Sequence, residues 1–239
     1  MRSTNRFLRA AALALLSITS AALAVAEAGR YLRAADFDVT TLIVPAPADD
    51  SLTTATDLEV VYQIQQRRTP EQVALAAYFV NDHVFQYDAA IGPWFTAENM
   101  PFTAEFFQQI HDDRYAISTQ GKRAWKRPRP PLVDARIKAA VDLPKSGAYP
   151  SGHATQAFVW AVLLGEAFPE KRAALRARAE TVAWSRVIGG VHYPSDIVAG
   201  RMLGEKLAQE FLKVPAVREA LARVKAEAEI ASKRPALED

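Results

Sequence analysis

The stretch YPSGHATQAFVWAVLLGEAF, Tyr149 to Phe168, decides the fold. Pro150 and Ser151 read as a helix start, with Ser151 placed to cap the first turn. Val159, Val162, Leu163 and Leu164 then supply a core face, so one long helix is expected from about Ser151 to Phe168. His153 falls in the first turn of this helix. There the backbone N–H groups point outward and an anion is welcome. The ordinary alternative is that Ser151 caps the helix and His153 is a polar surface residue.

The same helical spacing extends in both directions, and no sustained strand pattern interrupts it. TTATDLEVVYQIQQRR places Leu58, Val61, Tyr62 and Ile64 on one helix face. TPEQVALAAYFVNDHVFQY reads as a second helix, with Thr69 as N-cap, Pro70 in the first position and Gly92-Pro93 breaking the pattern beyond it. PFTAEFFQQIHDDRYAISTQGKRAW is a third, turning Phe102, Phe106, Ile110, Tyr115 and Ile117 inward and ending near Pro128. A Pro-rich connection leads to the helix at Ser151. Another helix is expected from about Glu170 to Val187, stopped by Gly189-Gly190. Pro194 and Pro215 each start one more. The expected fold is all-α, a single helical domain.

Composition narrows the function. The chain has 239 residues, half of them hydrophobic, and a net charge of +2 spread along its length. That length suits one well-buried domain, and no global field points to nucleic acid. Cys is absent, which excludes disulfides, thiolate metal sites and Cys nucleophiles. The first residues carry Arg2, Arg6 and Arg9 without an acid, then an apolar Ala- and Leu-rich run of about seventeen residues. That run is short for a membrane span and contains Ser17, Thr19 and Ser20. Ala24-Val25-Ala26 offers a small-x-small cleavage site, with Ala22-Leu23-Ala24 as second choice. Residues 1–26 are therefore expected to be a signal peptide. The mature protein is expected to be exported, periplasmic or secreted, without stable membrane insertion.

Three polar segments interrupt the apolar pattern. They are GKRAWKRPRP with Lys122 and Arg129, PSGH with Ser151, Gly152 and His153, and SRVIGGVHYPSD with Ser185, Arg186, His192 and Asp196. Lys122, Arg129 and Arg186 supply three cations, Ser151 a hydroxyl and Gly152 an unobstructed backbone N–H. All suit a tetrahedral dianion, and Arg grips phosphate oxygens through two parallel bonds. Asp196 lies four residues beyond His192, in the first turn of the helix begun by Pro194, and is able to reach an imidazole N–H. That fixes the tautomer and leaves the other ring nitrogen as a nucleophile. His153, on a separate helix start, is placed to donate a proton to a leaving oxygen. Together these residues form a constellation for phosphoryl transfer through a phosphohistidine. Taken singly, each segment has an ordinary reading: a solvated basic run, a loop histidine, a first-turn acid, a surface arginine.

The pattern Lys-x6-Arg-Pro, Pro-Ser-Gly-His, Ser-Arg-x5-His-x3-Asp resembles the signature of the type 2 phosphatidic acid phosphatase superfamily. Within it, an exported chain of this size resembles the bacterial class A non-specific acid phosphatases. Every defined position matches, and each would match by chance roughly once in twenty. Arg127-Pro128 is a second Arg-Pro pair, but only Arg129 has the required spacing from Lys122. The resemblance implies an all-α acid phosphatase domain over residues 27–239, acting on small phosphomonoesters without a metal or other cofactor. It implies that His192 attacks phosphorus, Asp196 orients it, and His153 protonates the leaving group and then activates water. Lys122, Arg129, Ser151, Gly152 and Arg186 would hold the phosphate oxygens. It further suggests a homodimer. A vanadium-dependent haloperoxidase and a lipid or diphosphate phosphatase share the signature and are the alternative readings.

Overall fold

The computed structural model describes residues 29–234, so the expected signal peptide, residues 1–26, lies outside the described residues. Among the described residues every regular element is helical. The long helices are α1 (Leu52–Arg67), α2 (Pro70–Tyr78), α3 (Pro101–Trp125), α4 (Gly152–Ala167), α5 (Arg172–Ile188), α6 (Pro194–Lys213) and α7 (Pro215–Ala231). One-turn helices fill the connections at Val39–Leu42, Asp88–Ile91 and Pro130–Val133. No described helix is long and apolar enough to cross a membrane.

Local chemistry accounts for the helix starts. Ser51, Thr69 and Ser151 each accept a backbone N–H from the first turn, and α2, α3, α6 and α7 open on proline. Proline has no N–H to lose at that position. The start of α3 is capped from elsewhere in the chain. Glu227 of α7 accepts from the N–H groups of Phe102 and Thr103 at 3.0 and 2.9 Å and from Thr103 Oγ1 at 2.6 Å. A carboxylate there also suits the positive end of the helix dipole.

Helix α4 is the centre of the molecule. From Ala154 onward only Val162 and Glu166 escape full burial, and α3, α5, α6 and α7 pack around it. A helix apolar on nearly every side is stable only when neighbours cover it. The α4–α6 contact is the tightest. A Cβ on Gly200 would lie 2.6 Å from Ser151 O, and one on Gly204 2.5 Å from Thr155 O. These two glycines let the backbones of α4 and α6 touch. Ser151 N donates to Asp196 O at 3.1 Å, which joins the two helix starts.

The second helix is shorter than its apolar pattern predicts. It ends at Tyr78, and residues 79–87 form a loop and a turn of 3-10 helix. Gln86 Nε2 donates to Tyr78 O at 3.1 Å and Asn81 O at 2.8 Å, satisfying carbonyls that a continuing helix would have used. Tyr115 was expected inward but is 57% exposed, while its neighbour Arg114 is buried in the core.

Candidate active site

The starts of α4 and α6, the end of α5 and one face of α3 meet around a cavity of about 240 Å³. Lys122, Arg129, Gly152, His153, Arg186 and His192 all line it, so six of the eight residues picked out in the sequence converge there. Ser151 and Asp196, both fully buried, stand behind the wall. Ser151 Oγ accepts from Ala154 N at 3.3 Å, the capping contact. Gly190, with φ of 74°, turns the chain after α5 and carries it from Arg186 to His192. Only a residue without a side chain adopts that turn readily.

His192 is buried and its ring is held at both nitrogens. Nδ1 lies 2.9 Å from Asp196 Oδ2, and Nε2 lies 3.1 Å from Arg129 Nη1. A carboxylate accepts only, and a guanidinium donates only. The proton is therefore on Nδ1, and the Nε2 lone pair faces the cavity side. Burial, then Arg129, Lys122 and Arg186, push the His192 pKa well below its ordinary 6.5. All of these favour the neutral ring.

Asp196 is fixed by three donors. His192 Nδ1 and Tyr193 N reach Oδ2, the latter at 3.0 Å, and Arg127 Nη1 reaches Oδ1 at 2.7 Å. Asp196 is the third residue of α6 and caps that helix while it orients the imidazole. Burial pushes its carboxyl up to about 6, and Arg127 and the Tyr193 N–H oppose the rise. Arg127 is itself buried, lies over the Tyr193 ring at 3.8 Å, and pairs with Asp57 at 3.4 Å. The two Arg-Pro pairs are thereby separated. Arg129 faces the cavity, and Arg127 sits behind Asp196.

The other wall carries His153. Its Nε2 lies 3.2 Å from Val80 O, and burial lowers its pKa below 6.5 while Asp82 pulls it back up. The two imidazoles are therefore held apart, with His192 the less basic. Lys122 Nζ donates to the carbonyls of Gly147 and Pro150 at 2.9 and 3.0 Å. Burial, reinforced by Arg129, lowers its pKa to about 7. Arg186 donates to Ala76 O at 3.0 Å, and its buried Nε has no partner among the described residues. A Cβ on Gly152 would sit 3.7 Å from Arg114 Nη1 and 3.9 Å from Lys122 Cε, in the space between two cations. A pocket lined by these cations is suited to a tetrahedral oxyanion.

Three participants escaped the sequence reading. Arg114 lines the cavity, with Nε donating to Gln156 Oε1 at 2.6 Å, and burial lowers it to about 10. Asp82 faces the cavity beside His153, and Arg127 braces Asp196. Arg114 was findable, because it falls on the inward face of α3 between Ile110 and Ile117. Asp82 and Asp57 carry no local signal.

Residues 113–218 match the family described as the PAP2 superfamily, and they contain all eight of these positions. The chain carries a PAP2 superfamily domain and is homologous to bacterial non-specific acid phosphatases. It is 34% identical over 117 residues to the non-specific acid phosphatase of Salmonella typhimurium, covering 47% of each chain. It is 28% identical over 169 residues to an acid phosphatase of Zymomonas mobilis, covering 67% of this chain and 64% of that one. The match thus spans about half to two thirds of these relatives' length. The fold is also that of a bacterial vanadium-dependent chloroperoxidase, with a TM-score of 0.61 at 14% identity over 82% of this chain and 54% of the other.

Proposed function

We propose that this PAP2-domain chain is an acid phosphatase that hydrolyses phosphomonoesters through a phosphohistidine at His192. One observation carries the reading: the buried His192 ring meets Asp196 Oδ2 at Nδ1 and turns Nε2 towards a cavity lined by cations. A simple phosphate binder has no use for a nucleophile so oriented.

In the proposed reaction the phosphate enters among Lys122, Arg129, Arg186, Arg114 and the N-terminus of α4, and takes Arg129 away from Nε2. Nε2 attacks phosphorus in line with the ester oxygen. The P–O bond breaks as His153 gives its proton to the leaving oxygen. The charge formed at Nδ1 is balanced by Asp196. His153, now neutral, takes a proton from water, whose oxygen attacks phosphorus and breaks the P–N bond. Phosphate leaves and both imidazoles are restored. The buried cations stabilise the equatorial oxygens in a dry site, where such contacts are worth most. They also repel a divalent metal, so turnover is expected to proceed without one. Export through residues 1–26, a domain over residues 27–239 and a homodimeric state belong to the same proposal.

The direct test is phosphate release from p-nitrophenyl phosphate in the presence of EDTA. Release at acidic pH, lost in His192→Ala, supports the reading. No release, or activity that needs an added divalent metal, contradicts it.

A further inference from the structure

A second, larger cavity of about 540 Å³ lies beside the phosphate cavity. Its walls are aromatic, from Tyr78, Phe85, Phe95, Phe107 and Trp160, and Asp82 belongs to both cavities. The segment between α2 and the 3-10 turn borders both. On one side Val80 O meets His153 and Val80 lines the phosphate cavity. On the other, Val84 and Phe85 line the aromatic one. Helix α3 runs past both, giving Ala104, Phe107 and Gln108 to the aromatic cavity and His111, Arg114, Tyr115 and Lys122 to the phosphate cavity. Arg114, one of the phosphate-side cations, lies seven residues beyond Phe107, so the two are roughly 10 Å apart along the helix.

Two polar atoms in this region are unpartnered. Trp160 is 3% exposed, and its indole Nε1 has no acceptor among the described residues. Asp82 Oδ1 has no donor. A buried N–H without a partner costs free energy unless something supplies one. The direction of the chemistry matters as well. In-line displacement places the leaving oxygen opposite His192, on the side of His153. Beyond His153 lie Val80, Asp82 and the aromatic cavity.

We infer that the aromatic cavity is the leaving-group subsite, and that it takes an aromatic group carried several atoms from the phosphate. The inference rests on the phosphatase reading for its direction, but it is tested by binding alone. Phosphonates are not hydrolysed, so calorimetric titration of the unmodified protein with 5-phenylpentylphosphonate and with methylphosphonate reads the subsite directly. A five-methylene spacer puts the ring roughly 10 Å from phosphorus, the separation set by two turns of α3. The phenylpentyl compound is expected to bind at least tenfold more tightly than the methyl one. Ala104→Phe, which fills the aromatic cavity, should abolish that difference and leave methylphosphonate binding unchanged. Ala97→Phe at the exposed rim provides the same test if Ala104→Phe does not fold. Equal affinities in the unmodified protein, or a preference that survives both substitutions, would overturn the subsite. Equal affinities with intact displacement by inorganic phosphate would leave the phosphate site standing. If neither phosphonate binds and no ester is hydrolysed, the phosphatase reading falls and the subsite with it.

Discussion

His192 and His153 face one cavity from two differently built walls. His192 stands on a seam where α4 and α6 meet backbone to backbone through Gly200 and Gly204, and its partner Asp196 is braced by Arg127 and Asp57. His153 stands at a rim whose opposite side is the loop after α2, contacted through Val80 and Asp82. A nucleophile gains from being held rigid, neutral and dry. A proton donor must reach a leaving group that differs from one substrate to the next. Burial lowers both pKa values; at His192 the nearby cations add to it, and at His153 Asp82 opposes it.

The largest effect is expected on the seam side. His192→Ala should lower kcat by about 10⁴-fold or more, because it removes the group proposed to attack phosphorus. On the rim side the loss should depend on the substrate. His153→Ala should cost about 10²–10⁴-fold on an alkyl phosphate and clearly less on p-nitrophenyl phosphate, whose leaving group needs little protonation. Equal losses on both esters would remove His153 as the acid and erase the distinction between the walls.

Stability separates the walls next. Arg127→Met leaves the Asp196 carboxylate buried without its cation, and should destabilise the fold by about 3–5 kcal/mol at neutral pH in denaturant titrations. The sign of the pH dependence is fixed by the raised carboxyl pKa. Without Arg127 the Asp196 pKa rises further above 6, so the extra penalty is present where Asp196 is ionised and is lost as pH falls to about 6, below which both proteins carry a protonated Asp196. A deficit that grew in acid would contradict the role of Arg127. Gly200→Ala forces a Cβ to 2.6 Å from a backbone oxygen that has no room to move. A loss of about 1–3 kcal/mol is expected there, with activity falling in step as the two helix starts separate.

The smallest effect belongs to the rim. Activity needs His192 neutral and His153 protonated, so the pH–rate profile should be bell-shaped with its maximum in acid. The acid limb reports the coupled His192–Asp196 pair and the basic limb His153, whose pKa lies below 6.5. Asp82 raises the His153 pKa, so Asp82→Asn should move the basic limb to lower pH and leave the acid limb in place. A basic limb that stayed fixed would detach Asp82 from His153.

The contrast also explains what was legible in the sequence. The helix starts at Thr69, Ser151, Pro194 and Pro215 were readable because such caps and N-terminal prolines act within one turn, whereas the Ser51 cap of α1 was not picked out. The eight motif positions stood out because three polar segments with fixed spacings interrupt an apolar pattern. The loop over residues 79–87 was not, since Val80, Val84 and Phe85 continue an apolar pattern that only the distant-in-turn Gln86 amide interrupts. Arg127, Asp57 and Asp82 were missed for a related reason. Their roles depend on partners from other elements, and a charged side chain on a helix end or loop is ordinarily solvated.

The central claim is that phosphorus is transferred to His192 Nε2. It is tested most directly by mixing enzyme with labelled phosphomonoester, quenching on the millisecond scale into alkali, and mapping the labelled peptide. The account predicts alkali-stable, acid-labile label on the peptide carrying His192, present in His153→Ala and absent in His192→Ala. Label on another side chain, or turnover with no labelled protein at any quench time, would contradict it.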